Sequence, residues 1–231
     1  MSQITMVVTC CGRIDLLEKT LDSFFRYNTY PIKKVIITED SGIPQDFSRT
    51  QKIIPCDLEI IENKINIGQI ASIDKAYALV DTDYIFHCEE DWEFYNSGFI
   101  EKSFEILNTN PKLITVWLRS YQDTKNHAIM LDEKFDLSNN DYYYLMDGAR
   151  KKHWCGFTFN PGLRRTSDCM IFHPYNQLEV RKEKNGLLLM GEIDLSIYYQ
   201  ELGYRAAITS KSGGYVRHIG GKRHVPLPWQ R

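Results

Sequence analysis

Tyr84-Ile85-Phe86-His87-Cys88-Glu89-Glu90-Asp91-Trp92-Glu93 begins as an apolar run and ends in four acids within five residues. The apolar part has the pattern of a strand buried in a sheet. Glu89, Glu90 and Asp91 then fall just past its end. Buried carboxylates are costly unless they are paired or bind a cation. Three together repel one another and shift their own pKa values unless something positive sits among them. A hard divalent metal that holds a phosphorylated substrate satisfies such a cluster, because Mg2+ and Mn2+ prefer oxygen ligands. A solvated acidic loop is the alternative.

The segments around this stretch set the fold class. Residues 4–9 are β-branched and nearly continuously apolar, as in a buried strand, and Cys10-Cys11-Gly12-Arg13 is the turn after it. Asp15 has the position of a helix N-cap, with Glu18 three residues on as in a capping box. Leu16, Leu17, Leu21, Phe24 and Phe25 follow at helical spacing until Pro31. Residues 34–38 form a second strand that runs into Glu39-Asp40-Ser41-Gly42, and 57–61 a third, leading to Asn66-Ile67-Gly68 and a helix over 69–80. After the Tyr84 strand come a helix over 97–108 and a strand over 113–118. Residues 120–186 are rich in aromatics, Asn and Asp, with weak periodicity, and are expected to be long loops and short strands shaping a cleft. A helix opens at Gly191-Glu192-Ile193-Asp194-Leu195 and ends at Gly203, before a strand over 204–209.

Strands alternating with helices predict an α/β fold: a single domain with a mainly parallel central sheet flanked by helices. In such sheets ligands bind beyond the carboxyl ends of the strands. Thr9 to Arg13, Glu39 to Ser41, Asn66 to Gly68 and Glu89 to Asp91 are thereby predicted to share one edge. Each loop taken alone is also explained by turn chemistry.

Composition narrows the class. The 231 residues are 43% hydrophobic and 25% charged, with a formal charge of −2, so the chain can bury a core and carries no general nucleic-acid or membrane signal. None of the six cysteines forms a CxxC pair, and Cys10, Cys56 and Cys88 fall in or beside strands, as buried free thiols do. The chain enters a strand almost at once, without a signal-peptide pattern, and no apolar run has the length of a membrane span. A soluble protein of the reducing cytoplasm is the expectation, with peripheral membrane contact left open.

The motifs together resemble the GT-A glycosyltransferases, particularly family 2-like inverting enzymes that use nucleotide-sugar donors. Val7-Val8-Thr9-Cys10-Cys11-Gly12-Arg13, Leu16-Leu17 and Thr20-Leu21 look like that family's first strand and helix. Glu39-Asp40-Ser41-Gly42 resembles its second strand end, where an acid reads nucleobase or ribose. Asn66-Ile67-Gly68, Ala71-Ser72 and Lys75-Ala76 are similar to its third-loop signature. Glu89-Glu90-Asp91 stands where the family carries its metal-binding Asp-x-Asp. The resemblance implies a Rossmann-like GT-A domain over the whole chain, with residues 1–118 as nucleotide-sugar half and 119–231 as acceptor half. It implies a UDP- or GDP-sugar donor, a hydroxyl acceptor on a glycan or other molecule, and Mn2+ or Mg2+ as cofactor.

It also assigns roles. Asp91 is implied as direct metal ligand, with Glu89 and Glu90 on the metal's water shell or the ribose. Glu for Asp at the first motif position leaves the division between those two open. Thr9, Cys10, Arg13, Asn66, Gly68, Ser72 and Lys75 are implied to line the donor, Arg13 and Lys75 as contacts to phosphate or base or as solvated charges. An inverting enzyme needs a base for the acceptor hydroxyl. Aligned on Asp194-Leu195, Glu192 takes that position, with Asp194 second; both acids also suit the positive end of a helix dipole. His218, in the glycine-flanked basic tail, matches a late metal-binding histidine, with His224 in reserve. His87, inside the strand, reads as a core histidine. Trp154 and Phe157 are candidates for stacking on a sugar, and 160–164 for an acceptor wall, against a purely core role. The competing readings are a nucleotidyltransferase, for which Thr9 to Arg13 is a poor triphosphate loop, and an inactive carbohydrate-binding module on the same fold.

Overall fold

In a computed structural model the chain is described at residues 2–148, 154–180, 191–221 and 223. The elements in order are β1 (Ile4–Cys10), α1 (Ile14–Tyr27), β2 (Lys34–Glu39), α2 (Ser48–Ile53), β3 (Asp57–Glu62), α3 (Gln69–Tyr77), β4 (Tyr84–Glu89), β5 (Trp92–Phe94), α4 (Phe99–Thr109) and β6 (Leu113–Trp117). They continue with β7 (Phe135–Asp136), β8 (Tyr142–Leu145), β9 (Gly162–Arg165), α5 (Thr166–Met170), α6 (Glu192–Glu201), β10 (Arg205–Thr209) and β11 (Val216–His218).

Five strands form the central sheet in the order β3-β2-β1-β4-β9. The first four are parallel and β9 runs antiparallel to β4. All seven residues of β1 are buried, because the strand is covered on both faces. Its alternation divides the core: Met6 and Val8 pack with Leu17, Leu21 and Phe24 of α1, whereas Val7 packs with Ile73, Ala76 and Tyr77 of α3. A second sheet, β6-β10-β8-β7, abuts β9. A Cβ on Gly162 would stand 2.7 Å from Thr115 Oγ1, so that glycine permits the close approach of β9 to β6.

The expected α/β architecture and its parallel strands are present. Three local readings differ. Asp15 does not cap α1: Arg13 occupies the N-cap position without a side-chain cap bond, and Asp15 lies in the first turn, paired with Arg223 at 2.7 Å. Glu18 pairs with Arg49 at 3.2 Å instead of closing a capping box. The acidic stretch also does not end in a loop alone: a turn returns it into β5, which pairs antiparallel with β11 from the far end of the chain. Residues 120–180 are loops, short helices and strands where described, as expected, but β9 also completes the sheet of the first half. Among the described residues no helix is long and apolar enough to cross a membrane. All six cysteines are free thiols.

Candidate active site at the sheet edge

The four polar loops do share one edge. Each strand ends there, so the chain must satisfy its last backbone groups, and the acids do so. Glu39, at the end of β2, accepts from Gly12 N–H (3.0 Å) and Ser41 N–H (2.7 Å). Asp40 accepts from Ile67 N–H (2.9 Å), Gly68 N–H (2.8 Å) and Asn63 Nδ2 (2.9 Å). Asn66 Nδ2 donates back to Asp40 O at 2.8 Å. Both acids are buried. In this geometry they clamp the first and third loops to the second.

Asn63, which no motif marked, is the hub beside them. It donates to Ser72 Oγ (3.0 Å) and accepts from Lys75 Nζ (2.6 Å). Ser72 and Lys75 are thus brought to the third loop. Thr9 is buried at the end of β1, level with Glu89 on β4. The Cys10 thiol is held well above its usual pKa by burial and by the charges of Glu90 and Glu39.

Arg13 organises the acidic stretch. Its guanidinium meets Glu90 Oε1 through Nε (2.8 Å) and Nη2 (2.7 Å), and Asp91 Oδ2 through Nη1 (2.9 Å). Cys11 N–H adds a bond to Glu90 at 3.2 Å. Burial raises the Glu90 carboxyl, opposed by Arg13. Asp91 is opposed in turn: burial raises it, but His218 and Arg13 bring it below the usual carboxylate value. Thr20 fixes the turn between them, donating to Glu90 O (2.6 Å) and accepting from Trp92 N–H (3.0 Å).

His218 Nε2 lies 3.2 Å from Asp91 Oδ2, and Ile219 N–H donates to Asp91 O at 2.8 Å. This carboxylate oxygen and imidazole nitrogen are ligand types that Mn2+ accepts, and here they contact each other, with Arg13 Nη1 on the same oxygen. A Cβ on Gly220 would overlap Asp91 Oδ2 and crowd His218, so only glycine leaves the pair undisturbed. Among the described residues no third His, Cys, Asp or Glu joins them. His224 lies outside the described residues.

Glu89 is half-buried and bonded elsewhere, to Gln69 Nε2 (2.9 Å) and Trp92 Nε1 (3.3 Å). Its carboxyl is pushed upward by burial and by the nearby charges of Glu192, Asp91 and Glu90. Glu192, the first residue of α6, is therefore within electrostatic reach of the acidic stretch. Its Oε1 accepts from Phe159 N–H (2.7 Å) and Thr158 Oγ1 (3.3 Å). Asp194, which unlike Glu192 is buried, turns back to accept from Gly191 N–H at 3.2 Å, closing the start of the helix.

His87 is a core residue, with Nδ1 at 3.1 Å from Tyr77 Oη. Phe157 is buried and stacks on Tyr199, a core role instead of a sugar-facing one. Trp154 is buried and stacks on His127. Sequence reasoning missed Asn63, Gln69 and Phe159 N–H, and gave no individual role to Thr20, Trp92 or Gly220, which stood in the stretches it quoted. Of these, only the Gly220-Gly221 pair carried a local signal.

Comparisons with known proteins bear on the family and the fold. The model for the family described as glycosyl transferase family 2 matches residues 5–170. No curated protein matches the chain. Among solved structures, the Pyrobaculum calidifontis mannosyltransferase PcManGT, in complex with GDP-Man and Mn2+, superposes with a TM-score of 0.65 at 15% identity, over 96% of this chain and 58% of that one. S. aureus TarS in complex with UDP-GlcNAc superposes at 0.65 and 12% identity, over 96% and 62%. This chain thus spans less than two thirds of either, and the likeness establishes the shared GT-A fold.

Proposed function

Because the chain belongs to glycosyl transferase family 2, we propose that it is an inverting, metal-assisted enzyme that moves a sugar from a nucleoside-diphosphate donor to a hydroxyl acceptor. The observation that carries this reading is the meeting of two halves of chemistry at one edge. The Asp91–His218 pair at 3.2 Å suits a cation and its diphosphate. Glu192 is fixed by Phe159 N–H, three residues before Gly162, which pairs with His87 of β4, the strand that ends at Glu89. A bound Mn2+ or Mg2+ would neutralise the diphosphate leaving group.

The chain's own residues do the rest. Asp91 and His218 would hold the cation, with Arg13 opposing the burial that raises the Glu90 carboxyl. Glu39 and Asp40 hold the loops that receive the nucleoside, leaving Asn66, Gly68, Ser72 and Lys75 to line it. Glu192 takes the acceptor proton as the hydroxyl attacks. Glu89, bonded to Gln69 and Trp92, shapes the wall between cation and base. UDP- and GDP-sugars are the donors to test, since the structural neighbours were solved with GDP-Man and UDP-GlcNAc.

The test is a donor panel with Mn2+, read by thermal shift and by release of nucleoside diphosphate. Asp91→Ala is expected to abolish metal-dependent donor binding. Glu192→Gln is expected to keep binding and lose transfer. Absence of stabilisation by any nucleotide, with or without metal, would overturn the enzyme reading, and full transfer by Glu192→Gln would remove the base.

A further inference from the structure

Arg164, in β9, is fully buried. Among the described residues no carboxylate pairs with it. Its Nη1 donates to Tyr77 Oη (3.1 Å), which in turn meets His87. Its Nη2 donates to the carbonyls of Thr158 and Asn160. The guanidinium lies 5.3 Å from the Phe157 ring centre and 5.6 Å from that of Phe159. A cation in such a place is held by carbonyl dipoles, the Tyr77 hydroxyl and ring faces.

What it does touch is informative. The carbonyls of Thr158 and Asn160 flank Phe159, whose N–H is the donor to Glu192 at 2.7 Å. The Thr158 hydroxyl also reaches Glu192, while accepting from Asn160 N–H at 3.2 Å. Arg164 grips the back of this turn, and the front of the turn grips Glu192. We propose that Arg164 is a positioning residue for Glu192: by fixing the carbonyls on either side of Phe159, it aims that N–H and the Thr158 hydroxyl at Glu192 Oε1 and sets the orientation of the carboxylate. The proposal rests on the reading of Glu192 as the base, and it reaches the carboxylate only through the backbone. Lysine would keep the charge but cannot hold Tyr77 Oη and the two carbonyls at once, because the planar fork that sends Nη1 to Tyr77 and Nη2 to the turn is lost.

Two readouts test it on the full chain. The first needs no substrate: amide hydrogen exchange at Phe159, with Phe86 in β4 as internal control. In Arg164→Met, Phe159 exchange is expected to quicken by about tenfold or more while Phe86 holds, with Arg164→Lys between. The second is turnover of GDP-mannose and UDP-N-acetylglucosamine with Mn2+. Arg164→Met should lower kcat by about 10–100-fold with donor KM within about twofold, and Arg164→Lys should recover part of it. Unchanged Phe159 exchange in folded Arg164→Met overturns the proposal, as does normal kcat where Glu192→Gln is inactive. Equal acceleration at Phe86, or failure of both variants to fold, assigns Arg164 to stability alone and also overturns it. Should Glu192→Gln keep full turnover, the base reading falls separately, and the Phe159 exchange still decides whether Arg164 orders the turn.

Discussion

Removing the Arg13 guanidinium should destabilise the protein in a way that depends on pH. Arg13 makes two contacts to Glu90 and one to Asp91, all between 2.7 and 2.9 Å. The Glu90 side chain is 5% exposed and that of Arg13 15%. Leaving a buried charge without its partner costs about 3–5 kcal/mol. The partial exposure of Arg13 lets water recover some of this, so Arg13→Ala is expected near the lower end, about 3 kcal/mol. For a chain of this length that is about 6–12 °C in Tm. The sign with pH follows from Glu90. Its carboxyl is already raised by burial, with Arg13 opposing. Without Arg13 it rises further, so the folded variant holds a proton that the unfolded chain has released. The deficit is therefore largest at and above neutral pH and narrows as pH falls toward the unfolded carboxylate value of about 4.3. Urea unfolding at pH 7.5 and 5.5, with Glu90→Gln and the double variant, measures it. A loss below about 1 kcal/mol, or a coupling to Glu90 below about 0.5 kcal/mol, would refute the reasoning.

Three further outcomes are expected. His87 is buried and neutral, its pKa pressed well below the usual value by burial and then by Arg164. Stability is full above about pH 6.5 and falls by about 1.4 kcal/mol per unit below it, as the unfolded chain gains the proton first. His87→Gln should flatten that slope in urea midpoints measured from pH 7.5 to 5.5, and parallel slopes would exclude the assignment. Asp40→Ala strands three donors, at Asn63, Ile67 and Gly68, and should cost about 2–4 kcal/mol with loss of amide protection at Ile67 and Gly68. Retained protection there would show that Asp40 is not the clamp. Gly220→Ala forces Asp91 and His218 apart at a cost of about 1–3 kcal/mol, and should weaken Mn2+ binding in the presence of UDP or GDP by about tenfold or more. Unchanged affinity by Mn2+ titration would separate the pair from the cation.

What the sequence by itself determined was everything that rests on short-range periodicity. Continuous apolar runs at Ile4 and Tyr84, with helical spacing between them, required parallel strands covered on both faces. The rule for such sheets then gathers Thr9 to Arg13, Glu39 to Ser41, Asn66 to Gly68 and Glu89 to Asp91 on one edge. Which partner each acid takes was not legible, because partners lie far apart in the chain. Arg13 and Glu90 are separated by 77 positions and Asp91 and His218 by 127. Only the tertiary structure decided that Arg13 neutralises the acidic stretch, that Asp40 clamps loops through Ile67 and Gly68, and that Asp15 pairs with Arg223 instead of capping α1. Backbone donors such as Phe159 N–H leave no trace in residue type, since every residue but proline carries one. The same holds for Arg164. In sequence it stood in 160–164, a candidate acceptor wall, and only the antiparallel seating of β9 beside β4 buries it behind the turn that holds Glu192.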